Sequence, residues 1–196
     1  MDKKIYKKLI SNHGMGTVKS LGWSSIESQH KRFEVIYNNR PEAATSLLDV
    51  GAGYGDFLTF LKFQESTFDY TGIEPFEPFY QEAVKNFGEE FFRNTDLMNY
   101  NPKRNYDYVI ASGLFWRDVE DWNDIFIRSV EKMMCLSRLG VSFNLLSTYS
   151  NAMKNPKLRY SNPAEIVELI GALGEKFMLI HNYHKTNKDF TCVLYK

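Results

Sequence analysis

The chain has 196 residues, and 24 Lys and Arg balance 24 Asp and Glu. This length suits one domain with a full core, and zero net charge provides no basic surface for nucleic acid, so none is expected as a partner. No apolar run reaches the ~18 residues of a membrane span, so no membrane association is expected either. Cys135 and Cys192 stand far apart among apolar residues, which predicts reduced core cysteines of a cytoplasmic protein without a metal site.

Apolar spacing predicts one N-terminal helix, then alternating strands and helices, then a terminal hairpin. The predicted helices are 24–39, 54–63, a helix with Pro78 near its start that runs to about 87, 121–135 and 163–171. The predicted strands are 45–50, 68–74, 89–93, 106–112, 138–146, 176–183 and 188–195. The connection between the third and fourth strands is too short for a full crossover helix. We treat 1–40 as a helical cover on a core of 41–196, within a single domain overall.

The most informative run is LLDVGAGYGDF, which ends a buried strand in Asp49 and then places glycines at 51, 53 and 55. Glycine permits a sharp turn and lets a ligand lie against bare backbone. The helix that follows offers unpaired N–H groups to an anionic group. A second apolar run, DYTGIEP, ends in Glu74, whose carboxylate suits two vicinal hydroxyls at the same sheet edge.

The glycine spacing separates two classes of nucleotide-binding enzyme. Dinucleotide dehydrogenases carry G-x-G-x-x-G, whereas this chain has G-x-G-x-G with Asp49 two positions before it. The pattern resembles motif I of the class I S-adenosylmethionine-dependent methyltransferases, and the order of elements from Thr45 to Lys196 resembles theirs. The resemblance implies an α/β, Rossmann-like, doubly wound seven-stranded sheet, mostly parallel, with a C-terminal antiparallel hairpin.

The resemblance also implies S-adenosyl-L-methionine as cofactor, with Glu74 on its ribose and Asp96 and Leu97 on its adenine. In some relatives an arginine on the N-terminal helix pairs with the methionine carboxylate, a role open to Arg32 here, although a solvated arginine is equally compatible. Trp23 either closes over the cofactor or simply packs beside that helix. The predicted cofactor-binding residues are Trp23, Arg32, Asp49, Gly51, Ala52, Gly53, Gly55, Asp56, Phe57, Glu74, Pro75, Asp96, Leu97, Ser112 and Gly113.

The methyl acceptor is expected between the exit of the fourth strand and the link 147–162, which is long for a compact domain. Aromatic faces near the methyl group would tolerate a sulfonium, and arginines would pair with an acidic acceptor. Ordinary packing and solvated charges are the alternatives. The predicted substrate-binding residues are Phe115, Trp116, Arg117, Asn144, Tyr149, Arg159 and Tyr160.

The expected activity is methyl transfer to an oxygen or nitrogen of a small, polar or anionic metabolite. A sulfonium is an activated donor, so positioning can suffice and no catalytic residue is assigned. The segment SGLF stands where amide-methylating relatives carry N-P-P-Y. The alternatives are an RNA or protein methyltransferase, a non-catalytic cofactor-binding protein and an NAD-dependent oxidoreductase. The oligomeric state stays open.

Overall fold

The structure is a computed structural model that describes residues 3–196. Strands and helices alternate through most of it. The helices are α1 (Lys3–His13), α2 (Ile26–Asn38), α3 (Asp56–Phe63), α4 (Glu77–Phe87), α5 (Trp122–Leu136) and α6 (Pro163–Ile170). The strands are β1 (Ser46–Val50), β2 (Asp69–Ile73), β3 (Phe92–Arg93), β4 (Tyr106–Ala111), β5 (Ser137–Leu146), β6 (Lys176–Ile180) and β7 (Asp189–Tyr195).

All seven strands form one sheet in the order β3-β2-β1-β4-β5-β7-β6. The first five strands of that order are mutually parallel, whereas β7 runs antiparallel to both β5 and β6. The strand order reverses between β1 and β4, which is where doubly wound sheets bind ligands outside their carboxyl ends. The predicted fold class is confirmed.

Burial explains why the central strands are so apolar. Every residue of β1 and β4 is buried, because helices cover both faces of a parallel sheet. On one face the core centres on α5, where Phe126 packs against Phe115 and Phe143. On the other face α2 and α3 pack together through Phe33 and Phe57, whose ring centroids lie 5.0 Å apart.

Helix ends follow capping chemistry that the sequence indicates. The Ser25 side chain accepts from the Ser28 amide at the start of α2, and Asn162 does the same for Ala164 at the start of α6; both are standard N-caps. Helix α3 begins at Asp56 rather than 54, because Gly55 precedes it in the left-handed conformation.

The predicted strand 89–93 is wrong in its first three residues. Glu89–Phe91 form a 3₁₀ turn, and only Phe92–Arg93 pair with β2. The Arg93 guanidinium holds this turn by donating to the carbonyls of Glu89 and Glu90 at 3.0 and 3.1 Å. Strand β6 also ends at Ile180, earlier than predicted.

The helical cover predicted for 1–40 consists of α1, a turn-rich segment and α2, and its residues 1 and 2 lie outside the described residues. The buried Ser20 hydroxyl lies 2.8 Å from that of Tyr54, which fixes the segment to the loop before α3. Cys135, predicted in the core, is exposed, while Cys192 is buried. Within 3–196, every helix is too short or too polar to cross a bilayer.

Candidate active site

The loop between β1 and α3 forms the floor of the site at the carboxyl edge of the sheet. Gly51, Gly53 and Gly55 all have positive φ, at 77°, 59° and 82°. L-residues with a Cβ rarely adopt this conformation, so the alternating glycines are what turn the chain here. The loop also approaches β2 closely, since a Cβ added at Gly72 would lie 2.8 Å from that of Ala52.

Glu74 follows β2 and is joined to this loop. Its side chain accepts from the Gly53 amide at 3.0 Å and from the Phe76 amide at 2.8 Å, and the residue is 3% exposed. Burial raises the pKa of Glu74 from 4.5 to about 7, against the effect of the two amide hydrogen bonds. A carboxylate fixed in this way keeps oxygen lone pairs available to ligand hydroxyls.

Two more acids lie beside the glycine loop. Asp49 is buried and accepts from the Tyr70 hydroxyl at 2.9 Å, and burial raises its pKa to about 7. Asp56 accepts from the Gln29 amide at 2.7 Å, and burial raises its pKa as well. When they are ionised, these carboxylates give the region a negative potential, which suits a cationic ligand.

A cavity lies over these acids, and the N-terminal segment forms its roof. Three roof residues, Tyr6, Leu21 and Gln29, are absent from the predicted set. Burial raises the pKa of the Tyr6 phenol to about 12, and Glu74 raises it further. The apolar spacing of Ile5, Tyr6, Leu9 and Ile10 was the available signal. The cavity is lined by Tyr6, Leu21, Trp23, Gln29, Phe33, Asp49, Gly51, Ala52, Gly53, Asp56, Phe57, Glu74, Ser112, Gly113 and Leu114.

A second cavity continues from the first past Gly51 and Leu114 and is bordered by Pro75, Asp96 and Leu97. The Asp96 carboxylate accepts from the Asn99 amide at 3.0 Å and from its side chain at 2.8 Å. Slight burial raises the pKa of Asp96, but the hydrogen bonds from Asn99 outweigh this effect and lower the pKa overall. The group is therefore ionised near neutral pH. Leu97 is buried beside it.

A third cavity lies on the far side of Trp23, which lines both it and the first. Trp23 packs against Gly113, where an added Cβ would lie only 2.6 Å from the indole ring. Gly113 has φ of 74°, and its amide donates to Asn144 Oδ1 at 2.9 Å. The third cavity is lined by Leu21, Gly22, Trp23, Ser24, Arg32, Gly113, Trp116, Asn144, Leu145, Leu146, Leu158 and Lys188.

Comparison with known proteins gives the family. "Putative methyltransferase Rv1506c" of Mycobacterium tuberculosis (strain ATCC 25618 / H37Rv) is 31% identical over 145 residues, which are 70% of this chain and 86% of that protein. The chain belongs to the class I S-adenosylmethionine-dependent methyltransferases. No family model matches the sequence.

Two solved methyltransferases share the fold at low identity. The CcbJ methyltransferase from Streptomyces caelestis superposes with a TM-score of 0.71 at 13% identity, over 100% of this chain and 99% of that one. Magnesium protoporphyrin IX methyltransferase (ChlM) from Synechocystis PCC 6803, with bound SAM, gives a TM-score of 0.64 at 15% identity, covering 100% and 97%.

The methyltransferase fold brings together most of the predicted cofactor residues. The first cavity is lined by Trp23, Asp49, Gly51, Ala52, Gly53, Asp56, Phe57, Glu74, Ser112 and Gly113, and the second by Pro75, Asp96 and Leu97. Gly55 shapes the turn from behind, because a Cβ there would meet the rings of Phe87 and Phe92 at less than 3.0 Å.

Arg32 lines the third cavity and not the first. It is 3% exposed, forms a buried ion pair with Asp189 and lies 4.8 Å below the Trp23 ring. Burial lowers its pKa to about 10, which leaves it charged at neutral pH. The carboxylate of Asp189 thus occupies the position that we expected the methionine carboxylate to take.

Of the predicted acceptor residues, Trp116 and Asn144 line the third cavity. Asn144 also joins the exit of β4, since its amide donates to the Ser112 hydroxyl at 3.1 Å. Phe115 is a core residue that borders the second cavity, and Arg117 lies there too. These two residues therefore lie at the second cavity and not at the third.

Of the link 147–162, Leu158 lines the third cavity. The link pairs with the exit of β4, where the Arg159 amide donates to the Trp116 carbonyl at 2.8 Å. The Arg159 side chain lies over the Trp122 ring and pairs with Asp118. Tyr149 is 59% exposed, and the Tyr160 hydroxyl accepts from the Asn155 amide. None of these three side chains lines the third cavity among the described residues.

Lys188 is a site residue that the sequence predictions missed. Asp189, its neighbour, pairs in register with Leu146 at the end of β5. Because β7 runs antiparallel, its first residues lie at the edge where the parallel strands end. The predicted hairpin therefore already placed Lys188 and Asp189 at the ligand-binding edge.

Proposed function

We propose that the protein transfers a methyl group from S-adenosylmethionine, held in the first and second cavities, to an oxygen or nitrogen of a small polar or anionic metabolite held in the third. The observation that carries this proposal is the Glu74 carboxylate, buried and fixed by Gly53 N–H beside the glycine turn. A nicotinamide dinucleotide would need the wider glycine spacing of the dehydrogenases.

The residues present fit the groups of this cofactor. Glu74 can accept hydrogen bonds from the vicinal ribose hydroxyls, and the ionised Asp96 can accept one from the exocyclic amine. The buried acids Asp49 and Asp56 suit an ammonium and a sulfonium, since a nearby opposite charge stabilises the ionised form of each group. When bound, the cofactor supplies an activated methyl group.

The protein's own part in the reaction is to hold the acceptor in line with that methyl group and to exclude water. Trp23 and Gly113 lie where the first and third cavities meet, so an acceptor in the third cavity faces the donor there. Such positioning supplies several kcal/mol, up to about 7–11 in well-oriented intramolecular reactions. The aromatic face of Trp23 is also compatible with a passing positive charge.

A small acceptor is supported by the volume of the third cavity, about 100 Å³, and by the neutral net charge. The fold is shared with ChlM, which is named for magnesium protoporphyrin IX. We expect the protein to act without nucleic acid or a membrane, in the cytoplasm.

Calorimetric titration with S-adenosylmethionine, S-adenosylhomocysteine and NAD tests the proposal. We expect the first two to bind and NAD not to bind. Glu74→Ala should weaken both by about 1–3 kcal/mol, the cost of leaving buried polar partners unmet, while Glu168→Gln on the exposed face of α6 should not. Equal affinity of the Glu74 variant, or binding of NAD alone, would refute the assignment.

Methyl incorporation from labelled cofactor into fractionated cell extract then identifies the acceptor class. We expect label in the small-molecule fraction. Label that appears instead in RNA or protein would contradict the proposed acceptor while leaving the cofactor assignment in place.

A further inference from the structure

The third cavity is apolar inside. Leu145, Leu146, Leu158 and Trp116 form much of its wall, and its volume is about 100 Å³. This is of the same order as the ~150 Å³ apolar cavity that binds benzene in another protein. A ligand that fills it must bury an apolar body, since there are few polar partners within.

One end of this cavity is polar. There the Lys188 ammonium donates to the Ser24 hydroxyl at 3.2 Å. Both residues also line a neighbouring surface groove, so they stand at the mouth between the cavity and that groove. An ammonium has three N–H donors, and Ser24 accepts one of them.

The charge at the mouth belongs to Lys188. The other cation on the cavity wall, Arg32, is compensated by its buried partner Asp189. The field of a buried pair is weaker than that of a lone cation, and Lys188 forms no ion pair with any carboxylate of residues 3–196, so its charge can attract anions. Burial, and then the charge of Arg32, lower the pKa of Lys188.

The groove outside the mouth is positive as well. Lys31, Lys185 and His184 line it, and its acidic residue among those described, Glu27, pairs with Lys31 at 3.1 Å. The pKa of His184 is lowered by burial first and then by Arg32, Lys188 and Lys31. Lys185 and Lys188 therefore leave the groove positive beyond the pair of Glu27 with Lys31, which favours anions.

We propose that the methyl acceptor has an apolar, ring-sized body that enters the third cavity and a carboxylate or phosphate that binds Lys188 at its mouth. This inference rests on the proposed function, and it names the acceptor class. Lys188 acts as a specificity residue, so that neutral molecules of the same shape bind more weakly. The positive groove accommodates any anionic extension beyond the mouth.

Three one-ring probes test this inference in the presence of saturating S-adenosylhomocysteine. Benzoate and phenyl phosphate carry the two anionic groups, and benzamide is the neutral match of benzoate. We expect ligand-observed NMR titrations to show both anions binding about tenfold or more tightly than benzamide, as a charged hydrogen bond gives. The stronger of the two anions identifies carboxylate or phosphate as the natural group.

Substitutions at Lys188 locate the preference. Lys188→Met should abolish the difference between the anions and benzamide, and Lys188→Arg should retain it. Lys103→Met, which removes one exposed lysine before β4 at the opposite edge of the sheet, should match the wild type. The Arg variant also separates a loss of charge from a loss of folding.

The possible failures are distinct. If benzamide binds as tightly as the anions, or if the preference persists in Lys188→Met, the inference about the acceptor is wrong. If S-adenosylhomocysteine itself does not bind in the calorimeter, the proposed function fails and this inference fails with it.

Discussion

The buried Glu74 carboxylate should make the cofactor-free protein less stable as the pH rises. Its pKa is about 7 in the folded protein against 4.5 ordinarily, and burial is the main cause. Well below pH 4.5, Glu74 is protonated in both the folded and the unfolded protein, so its ionisation does not change the free energy of unfolding. Between pH 4.5 and 7 the unfolded chain releases the proton first, and folding becomes progressively less favourable. At about 1.4 kcal/mol per pKa unit the loss reaches roughly 3 kcal/mol above pH 7.

Glu74→Gln removes the titrating group and keeps its shape. One of the two amide donors, Gly53 or Phe76, then loses its carboxylate partner, which costs about 1 kcal/mol. At pH 8 the cofactor-free variant should therefore be about 2 kcal/mol more stable than the wild type, while at pH 4.5 it should be slightly less stable. Asp49 titrates in both proteins, so its contribution largely cancels in the difference.

Urea unfolding of the cofactor-free proteins at pH 4.5, 6 and 8 measures this difference, with Glu168→Gln as the control. The stability difference between the wild type and the Glu74 variant should fall by about 3 kcal/mol from the lowest to the highest pH. A constant difference, or one that grows in favour of the wild type, would show that Glu74 is not held in a desolvated state. Ribose hydroxyls that donate to the charged form should also make wild-type cofactor affinity increase from pH 6 to 8.

Other predictions concern the roof of the site and its anchor. Gly113→Ala should displace the Trp23 indole, because the new Cβ would lie 2.6 Å from it. Intrinsic fluorescence should change, and turnover should fall more than cofactor affinity. Unchanged turnover would show that Trp23 does not separate the two cavities in the way proposed. Asp189→Asn leaves the Arg32 charge buried without its carboxylate and should lower the free energy of unfolding, measured in urea, by about 3–5 kcal/mol. Adding Arg32→Met should recover part of that stability. If the effects of the two substitutions simply add, the pairing is refuted.

The cofactor half of the site was predictable because its signals are local. The glycines at 51, 53 and 55 can only serve a sharp turn, and an acid that directly follows an apolar strand must lie at the carboxyl edge of the sheet. Glu74 and the loop consequently meet as the spacing predicts. The 3₁₀ turn at Glu89–Phe91 was not predictable in this way, since the short run EEFF is compatible with either structure and the turn is held by hydrogen bonds from Arg93.

The acceptor half depends on contacts between distant segments, which the sequence does not display. Arg32 on α2 lies 157 positions before Asp189 on β7, and only the folded sheet brings them together. Arg159 lies within the link 147–162, which was expected to border the acceptor, yet its backbone pairs with Trp116 and its side chain points towards Asp118. A charged residue in a loop has no intrinsic direction, so composition alone cannot distinguish a binding arginine from a packed one.

Trp23 is held in place by contacts from three different parts of the chain. Arg32 lies beneath the indole and pairs with Asp189 on β7, so α2 is joined to the last strand in chain order. The same indole separates the first cavity from the third, and its position is limited by Gly113. Trp23 is therefore positioned by the N-terminal helix, the β4 exit and the terminal hairpin together. We therefore expect the boundary between the first and third cavities to depend on all three segments.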